Sequence, residues 1–408
     1  MIIRNIVRKI VIWFSLAEGA GQRRKMEVYL DNSATTRVYP EVAELMMKIM
    51  TEDFGNPSSM HKCGMTAEHY LKEAASAAAK SIHADISEIL FTSGGTESNN
   101  TALIGTALAK KRVGKHIIST NVEHPSVGAT LDFLEKEGFS VTRLPVNEKG
   151  VITPEQVAEA MRPDTILVSV MMVNNEIGSI FPIEEITKTV HKKNPKTYVH
   201  TDAIQAYGKI PINVTKLGVD LLSVSAHKLH GPKGVGFLYI RKGTLIRPMV
   251  YGGGQQKGMR SGTENVQGIA GFGLAIKEGV IDNAKLVERN DKIAALRDKL
   301  IEGLSACPDV RNHSMGAPHI ASLSFVGIRA EVMLHSLEAE GIYVSAGSAC
   351  SSNKKKESSV LAAIDLPPEE RESTLRFSFS EENTEEEVSY VIQTVKRLLP
   401  GLRHYTRG

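Results

Sequence analysis

LLSVSAHKLHGPKGVGFLYIRK, residues 221–242, is the segment whose pattern is most informative about the fold of this chain. Its apolar runs at 221–224 and 235–240 have the composition of strands, and glycine and proline form a tight turn between them. The turn carries Lys228 close to Ser225 and His227, away from any solvated helix face. A lysine in this position can hold a carbonyl compound as a Schiff base, although a surface lysine in a hairpin has the same local sequence.

Strand-like and helix-like segments alternate upstream of this hairpin. The strand-like runs are at 89–92, 116–120, 141–144, 166–173 and 198–201. This alternation predicts an α/β fold with a mostly parallel sheet that helices cover on both faces. In such sheets, ligands bind beyond the carboxyl ends of the strands.

Polar side chains follow several of these strands at the point where each strand ends. Thr96 stands in SGGTESNN, where glycines and a hydroxyl meet the start of a helix. His124, Asn175 and Asp202 follow three later strands, and Gln205 comes soon after them. Because the carboxyl ends of parallel strands meet at one edge of a sheet, we expect these side chains to line one site. The glycine-rich turn suits a phosphate, although an ordinary helix cap has the same composition.

The pattern changes after residue 242. A glycine-rich polar loop at 251–265 leads into two helical stretches, of which 283–304 is long and amphipathic. Strands and helices are mixed beyond that point. Arg376 lies in a late strand-like run, and Thr384 opens the last helix with a capping-box pattern. This change predicts a second, smaller α+β domain.

Composition limits the classes of function and the compartment. The net charge of +3 over 408 residues gives no field that favours nucleic acid or a membrane surface. Three cysteines, Cys63, Cys307 and Cys350, are too few for a disulfide framework and favour a reducing, cytoplasmic compartment. The apolar centre of residues 1–25 is too short to span a bilayer. Because Met26 precedes the first strand-like run, we expect residues 1–25 to be a leader or a misplaced start, with a secretory signal as the alternative.

If Lys228 holds pyridoxal 5'-phosphate, the protein must also bind the ring and the phosphate of that cofactor. Asp202 can keep the pyridine nitrogen protonated, so that the ring withdraws electrons. His124 can stack on the ring and move protons, and Gln205 can donate a hydrogen bond to the phenolic oxygen. Donors to the phosphate are available in two turns: Gly95, Thr96, Ser225 and His227.

At these residues the sequence resembles the class V aminotransferase group of pyridoxal-phosphate enzymes and, more narrowly, the NifS/IscS-type cysteine desulfurases. The matching runs are DNSATT at 31–36, GNPSS at 55–59, FTSGGTESNN at 91–100, EHPS at 123–126, NNEIG at 174–178, HTDAIQA at 200–206, SVSAHKLHGPKG at 223–234, RSGTEN at 260–265, GSACSS at 347–352 and LRFSFS at 375–380. The resemblance extends over roughly residues 26–400.

The resemblance implies the type I fold of pyridoxal-phosphate enzymes, with a large domain on a mostly parallel seven-stranded sheet and a smaller α+β C-terminal domain. It implies a cofactor-binding domain at 38–285 and a small domain at 26–37 and 286–408, with residues 1–25 outside both. It also implies a homodimer whose active sites lie at the subunit interface.

The same resemblance implies a role for each matching residue. It supports the roles given above to Lys228, Asp202, His124, Thr96, Ser225 and His227. Thr263 matches a residue that reaches the phosphate from the other subunit. Asn175 and Arg376 match positions that hold the substrate carboxylate, for which the planar fork of arginine is suited. No metal site is predicted.

Cys350 lies in GSACSS beside the lysine run at 354–356, in a cationic setting that favours a thiolate. In the resembled family, the matching cysteine takes sulfur from L-cysteine, alanine leaves and the enzyme keeps a persulfide. The spacing from Cys350 to Val360 is similar to that of the branch that passes sulfur to a scaffold protein. The lysine run departs from familiar members and leaves the identity of the acceptor open. Cys63 and Cys307 match no catalytic position.

We therefore expect a cysteine desulfurase whose partners are L-cysteine and a sulfur-acceptor or iron–sulfur scaffold protein, for iron–sulfur cluster assembly, tRNA thiolation or both. One alternative is a selenocysteine lyase or another class V aminotransferase. A third hypothesis, a non-enzymatic sulfur carrier with a degenerate pocket, is disfavoured by the intact set of Lys228, Asp202 and His124. No direct binding to nucleic acid or membrane is expected.

Overall fold

The computed structural model describes residues 26–346 and 358–406, with side chains up to residue 403. Its strands are β1 (Val28–Tyr29), β2 (Ile89–Thr92), β3 (His116–Thr120), β4 (Ser140–Leu144), β5 (Thr165–Ser169), β6 (Tyr198–Asp202), β7 (Leu221–Ser225), β8 (Gly236–Ile240), β9 (Val310–Asn312), β10 (Ile320–Phe325), β11 (Ile342–Tyr343), β12 (Ser345–Ala346) and β13 (Thr374–Ser378). Its helices are α1 (Pro40–Thr51), α2 (Lys62–Ser81), α3 (Gly95–Lys110), α4 (Pro125–Lys136), α5 (Pro154–Ala160), α6 (Ile183–Lys193), α7 (Val214–Leu217), α8 (Val266–Gly279), α9 (Asn283–Ser305), α10 (Ala330–Glu338), α11 (Ser359–Ala363), α12 (Pro368–Arg371) and α13 (Glu385–Thr406).

The central sheet has seven strands in the order β2-β8-β7-β6-β5-β3-β4. Neighbouring strands from β7 to β4 are parallel, and β8 is antiparallel to both of its neighbours. The expected mostly parallel seven-stranded sheet is confirmed. The predicted strand at 166–173 is too long: β5 ends at Ser169, and the apolar residues that follow lead into a turn in which Val173 bridges back to Ile180.

Both faces of this sheet are buried because apolar residues occupy successive positions of its strands. On one face, Leu167 and Leu221 pack with residues of α3 and α4 such as Leu103. On the other face, the adjacent residues Val168 and Leu222 belong to a larger core that includes α2 and α8. This two-sided burial explains the continuous apolar runs of the sequence.

A separate apolar core surrounds the four-stranded antiparallel sheet β12-β13-β10-β9. Helices α9, α10 and α13 pack on it, and the N-terminal residues Val28 and Leu30 are buried in it. The capping box predicted at Thr384 is present, since Glu387 N donates to Thr384 Oγ1 and Thr384 N donates to a Glu387 carboxylate oxygen. The location of this core agrees with the expected small domain at 26–37 and 286–408, whose boundaries stay a prediction.

Within the described part of the chain, none of the helices combines the length and apolar composition needed to cross a membrane.

The hairpin β7–β8 brings the loop after β2 close to the loop after β7. Gly236 pairs with Ser225 on one side and with Thr92 on the other. A Cβ on Gly236 would lie 2.4 Å from the carbonyl oxygen of Val224 and 2.9 Å from Cα of Gly94. Only a residue without a side chain can therefore let the turn after β2 approach the end of β7.

We expect Gly236→Ala to lower the free energy of unfolding by about 1–3 kcal/mol, because the added methyl group meets backbone atoms that cannot move aside easily. The thermal midpoint measured by scanning calorimetry tests this. Gly128→Ala is the control: Gly128 lies in α4 with nothing within 4 Å of an added Cβ, so its midpoint should be unchanged or slightly raised. Equal midpoints for the two variants would contradict the close approach at Gly236.

Candidate active site

A cavity of about 460 Å³ lies where the strands β2, β3, β5, β6 and β7 end. The predicted site residues that line it are Gly95, Thr96, His124, Asn175, Asp202, Gln205, Ser225, His227, Lys228 and Arg376. The structure thus brings ten predicted residues together at the expected edge of the sheet. Thr263 is exposed and is not among the residues that line the cavity, and Cys350 lies outside the described residues.

The side-chain amine of Lys228 is held by the N-terminal segment of the chain. Its Nζ donates hydrogen bonds to the carbonyl oxygens of Ser33, at 2.6 Å, and Ala34, at 2.7 Å. The turn that carries the lysine is fixed to the same segment, since Thr36 N donates to His227 O at 2.9 Å. The DNSATT run at 31–36 therefore sets the position of Lys228, a function that the sequence alone did not assign to it.

Asp202 and His124 are connected through two polar side chains. Asn99 Nδ2 donates to Asp202 Oδ2 at 2.7 Å and to Ser126 Oγ at 2.9 Å. Ser126 N donates to His124 Nδ1 at 3.1 Å, so Nδ1 is an acceptor and a neutral His124 carries its proton on Nε2. The sequence did not single out Asn99 or Ser126 as site residues, although both lie in runs that carry the family resemblance, at 91–100 and 123–126.

Burial shifts the pKa values of Asp202 and His124. Removal from water raises the pKa of Asp202, against the hydrogen bond from Ile204 N and the nearby His124. Removal from water also lowers the pKa of His124; the carboxylate of Asp202 opposes this shift and the amine of Lys228 adds to it. His124 is therefore a neutral imidazole that can accept a proton. A cation bound beside Asp202 would favour its carboxylate form.

The opposite side of the cavity offers hydrogen-bond donors. Helix α3 begins at Gly95 with no side-chain cap, and Gly94 has φ 144°, which favours glycine. Burial lowers the pKa of His227 to about 4, and the amines of Lys228 and a second lysine add to this shift, so its ring is neutral at pH 7. Backbone N–H groups at the helix start, the Thr96 hydroxyl and the His227 ring can together bind an anion.

Arg376 reaches the cavity from β13, in the antiparallel sheet. Its Nη1 donates to the carbonyl oxygen of Asn175 at 2.8 Å, and its Nη2 lies 2.9 Å from Asp31 Oδ1. The predicted pair of Asn175 and Arg376 is thus in direct contact, through the backbone of Asn175. Asp31, which the sequence did not single out, holds one side of the guanidinium.

The described residues on the two sides of the segment that contains Cys350 contact the cavity or a residue next to its lining. Ser345 lines it and pairs with Arg376 in the sheet. On the other side, Ser358 Oγ donates to a carboxylate oxygen of Glu176 at 2.5 Å, next to Asn175 in sequence. The described chain therefore ends and resumes beside residues that line the cavity or adjoin its lining in sequence.

A partly buried cluster of polar and charged side chains links the loop that carries Lys228 to the C-terminal part of the chain. His230 Nε2 lies 3.5 Å from Glu381 Oε2, and Arg289 Nη1 lies 3.5 Å from Glu381 Oε1. Tyr39 stacks on His230 and donates its hydroxyl hydrogen to Glu381. Although burial opposes it, the adjacent His230 ring and the charges of Lys209 and Arg289 hold the pKa of Glu381 well below its usual range.

An amine, a carboxylate, a neutral imidazole and a guanidinium therefore share one cavity. The amine suits a carbonyl compound, the guanidinium suits a carboxylate and the imidazole can move a proton. This set suits chemistry on an amino acid that is held through its carboxylate.

His200 lies two residues before Asp202 on β6 and is completely buried. Its ring nitrogens are 2.9 Å from Ser169 Oγ and 3.0 Å from Ser223 Oγ, so it bridges three neighbouring strands. Burial lowers its pKa to about 3, from 6.5.

Between pH 6.5 and about 3, the unfolded chain takes up a proton at His200 that the folded chain does not. We therefore expect this residue to reduce the free energy of unfolding by about 1.4 kcal/mol for each unit of pH below 6.5. Thermal midpoints from pH 8 to 4.5 should fall less steeply for His200→Gln than for the wild type. The exposed His335→Gln serves as the control and should keep the wild-type slope. An unchanged slope in His200→Gln would contradict the prediction.

Comparison with known proteins gives matches over nearly the whole chain. Residues 28–391 match the family model described as Aminotransferase class-V. The chain is 46% identical to "Cysteine desulfurase IscS" of Methanosarcina thermophila, over 92% of this chain and 93% of that protein. It is also 46% identical to the protein of the same name from Dictyoglomus turgidum, over 93% and 96% of the two chains. A solved structure titled "NIFS-LIKE PROTEIN" matches with a TM-score of 0.87 and 40% identity, over 92% of this chain and 100% of that one.

Proposed function

This chain belongs to the class-V aminotransferase family and, within it, to the cysteine desulfurases, and on that basis we propose that it converts L-cysteine to L-alanine and passes the sulfur to an acceptor protein. The expected family is confirmed, as is the expected type I fold, which matches the solved NifS-like protein. The observation that carries the proposal is the shared cavity of Lys228, Asp202, His124 and Arg376.

Enzymes of this family depend on pyridoxal phosphate, and the residues around the cavity fit that cofactor. When bound, its ring withdraws electrons from an attached amino acid. The amine of Lys228 would hold its aldehyde carbon, and the carboxylate of Asp202, oriented by Asn99 and Ile204 N, would hold its ring nitrogen. The donors at the start of α3, with Ser225 and His227, would hold its phosphate.

The remaining groups of the cavity act on the amino acid itself. Arg376, aligned by the Asn175 carbonyl and Asp31, would bind the carboxylate of L-cysteine through its guanidinium. Neutral His124 would accept and return a proton at the nitrogen that is not engaged with Ser126. Its low pKa, caused by burial, keeps it in the form that can accept that proton.

Cys350 would receive the sulfur. Its thiolate attacks the sulfur of the substrate, a sulfur–sulfur bond forms and the carbon–sulfur bond of L-cysteine breaks. The electron pair of that bond goes to the substrate carbon, which gains a proton and becomes the methyl group of alanine, so no outside oxidant or reductant is needed. This role is supported by Ser345, which lines the cavity, and by Ser358, which is bonded to Glu176 next to the lining residue Asn175. The acceptor would be a cytoplasmic protein that serves iron–sulfur cluster assembly, tRNA thiolation or both.

We expect Cys350→Ala to abolish the release of sulfide from L-cysteine in the presence of a thiol reductant, while the protein keeps the visible absorbance of its cofactor. The matched control is Cys307→Ala, which should release sulfide and alanine at the wild-type rate. Alanine and sulfide are measured together in each variant. Full sulfide release by Cys350→Ala would refute the role of that thiol. A wild-type protein that prefers selenocysteine over cysteine would contradict the proposed substrate.

We propose that the enzyme is a homodimer and that Thr263 serves the cavity of the partner subunit. Two observations support this. Large apolar side chains are exposed along one part of the chain and near the loop at 251–265: Met47 at 59%, Met50 at 50%, Phe54 at 75%, Met60 at 99%, Met65 at 64% and Tyr251 at 75%. Thr263 itself is exposed in the single chain and does not line its cavity. A second copy that covers these side chains would remove them from water.

Mixed dimers test whether Thr263 acts across the interface. Lys228→Ala and Thr263→Ala should each lose most desulfurase activity alone. When the two are co-expressed, hybrid dimers contain one site with both residues intact, so we expect about a quarter of the wild-type activity to return. If Thr263 served its own subunit, no hybrid site would be complete and activity would stay at the level of the weaker variants. Sedimentation velocity of the wild type measures the dimer directly.

A further inference from the structure

We propose that His319 is a positioning residue: it fixes the orientation of the Gln205 amide so that an N–H of Gln205 faces the cofactor cavity. The proposal rests on the function proposed above. It extends that function to a buried residue that does not line the cavity.

The Gln205 amide is placed between two groups of opposite character. Its Nε2 donates to the carbonyl oxygen of Ser33 at 3.0 Å, and that oxygen also accepts from Lys228 Nζ at 2.6 Å. A carbonyl oxygen can only accept, so the nitrogen of the amide must face Ser33. The amide oxygen Oε1 then lies 3.4 Å from His319 Nε2.

This arrangement also determines the tautomer of His319. Because Oε1 of Gln205 can only accept, Nε2 of His319 must carry the proton. The other ring nitrogen, Nδ1, is buried and has no hydrogen-bond partner among the described residues, as expected for an unprotonated nitrogen. The side chain is 1% exposed.

The surroundings of His319 keep its ring neutral. Burial lowers its pKa well below the usual value, and the nearby cations act in the same direction: Lys209, Arg376, Arg297 and Lys228. The ring therefore stays a single-proton donor across the working range of the enzyme. A residue of fixed donor character can hold the amide of Gln205 in one of its two orientations.

The second hydrogen of Gln205 Nε2 remains available to the cavity. One hydrogen is used by the Ser33 carbonyl, and Gln205 lines the cavity beside Lys228. In the orientation that His319 supports, the amide offers a donor and not an acceptor. A donor here stabilises an anionic oxygen, such as the phenolic oxygen of the cofactor next to the carbon that Lys228 holds.

His319 is itself positioned by the antiparallel sheet. It stands directly before β10, and Phe379 N donates to its carbonyl oxygen at 2.9 Å. The neighbouring strand β13 carries Arg376, and Ser322 of β10 pairs with it. The same sheet therefore supplies the group that binds the substrate carboxylate and the group that orients Gln205.

The test compares His319→Asn with His319→Gln in the cofactor-loaded dimer. A glutamine places its amide nitrogen where Nε2 of the histidine stood, whereas the asparagine nitrogen reaches only the position of Nδ1. The readout is the pH midpoint at which the visible absorbance of the bound cofactor changes. A donor at the phenolic oxygen competes for the proton on the Lys228 nitrogen, so its loss should raise that midpoint. We expect an increase of about half a unit or more in His319→Asn and a midpoint near the wild type in His319→Gln.

Gln205→Leu should raise the midpoint as His319→Asn does, and the double variant should show no further increase, because both act through one hydrogen bond. His313→Asn is the matched control. His313 is also buried but pairs with Ser324 of β10 and with Glu370, so the absorbance midpoint of this variant should be that of the wild type.

Three results would overturn the inference: an unchanged midpoint in His319→Asn, equal increases in the asparagine and glutamine variants, or additive increases in the double variant. Failure of the proposed function would look different, since the wild-type protein itself would then show no cofactor absorbance and no sulfide from L-cysteine. If the wild type converts L-cysteine but His319→Asn has the wild-type absorbance midpoint, only the proposed role of His319 is refuted.

Discussion

The site depends on two hydrogen bonds that the amine of Lys228 donates to backbone carbonyl oxygens. Ser33 and Ala34, which supply them, belong to a segment that is fixed to the smaller core, since Ser378 N donates to Leu30 O and Asn32 N donates to Ser378 O. The lysine itself extends from the hairpin of the central sheet. The cavity is thus formed by a lysine from one core and an N-terminal segment that is held by the other.

Desolvation governs the chemistry of the cavity. Near Lys228 it keeps His124, His227 and His319 as neutral rings, each of which presents one donor and one acceptor. A protonated histidine here would repel the amine and would lose its ability to accept a proton. Neutral rings instead give the site a defined pattern of donors and acceptors, in which the tautomers of His124 and His319 are set by the groups that they face.

Much of the fold and part of the site could be predicted from the sequence, for a physical reason. A strand that is buried on both faces leaves a continuous apolar run, and the polar residue after it marks the edge of the sheet, as Asp202 and His124 do. The missed contacts join distant segments: Asn99 and Asp202 are 103 residues apart, and Asp31 and Arg376 are 345 apart. Local patterns carry no information about such pairs. The excess length of the strand predicted at 166–173 has a similar origin, since apolar composition does not reveal where the chain turns back.

The charge cluster around Glu381 has a consequence for how this protein can change over evolutionary time. Loss of one member of a buried ion pair leaves the other without compensation, at a cost of about 3–5 kcal/mol. Tyr39, His230 and Arg289 all share the carboxylate of Glu381, so replacement of Glu381 alone would remove the partner of all three at once. Drift at this junction is therefore restricted to coordinated replacement of several positions, while the exposed helices remain open to single changes.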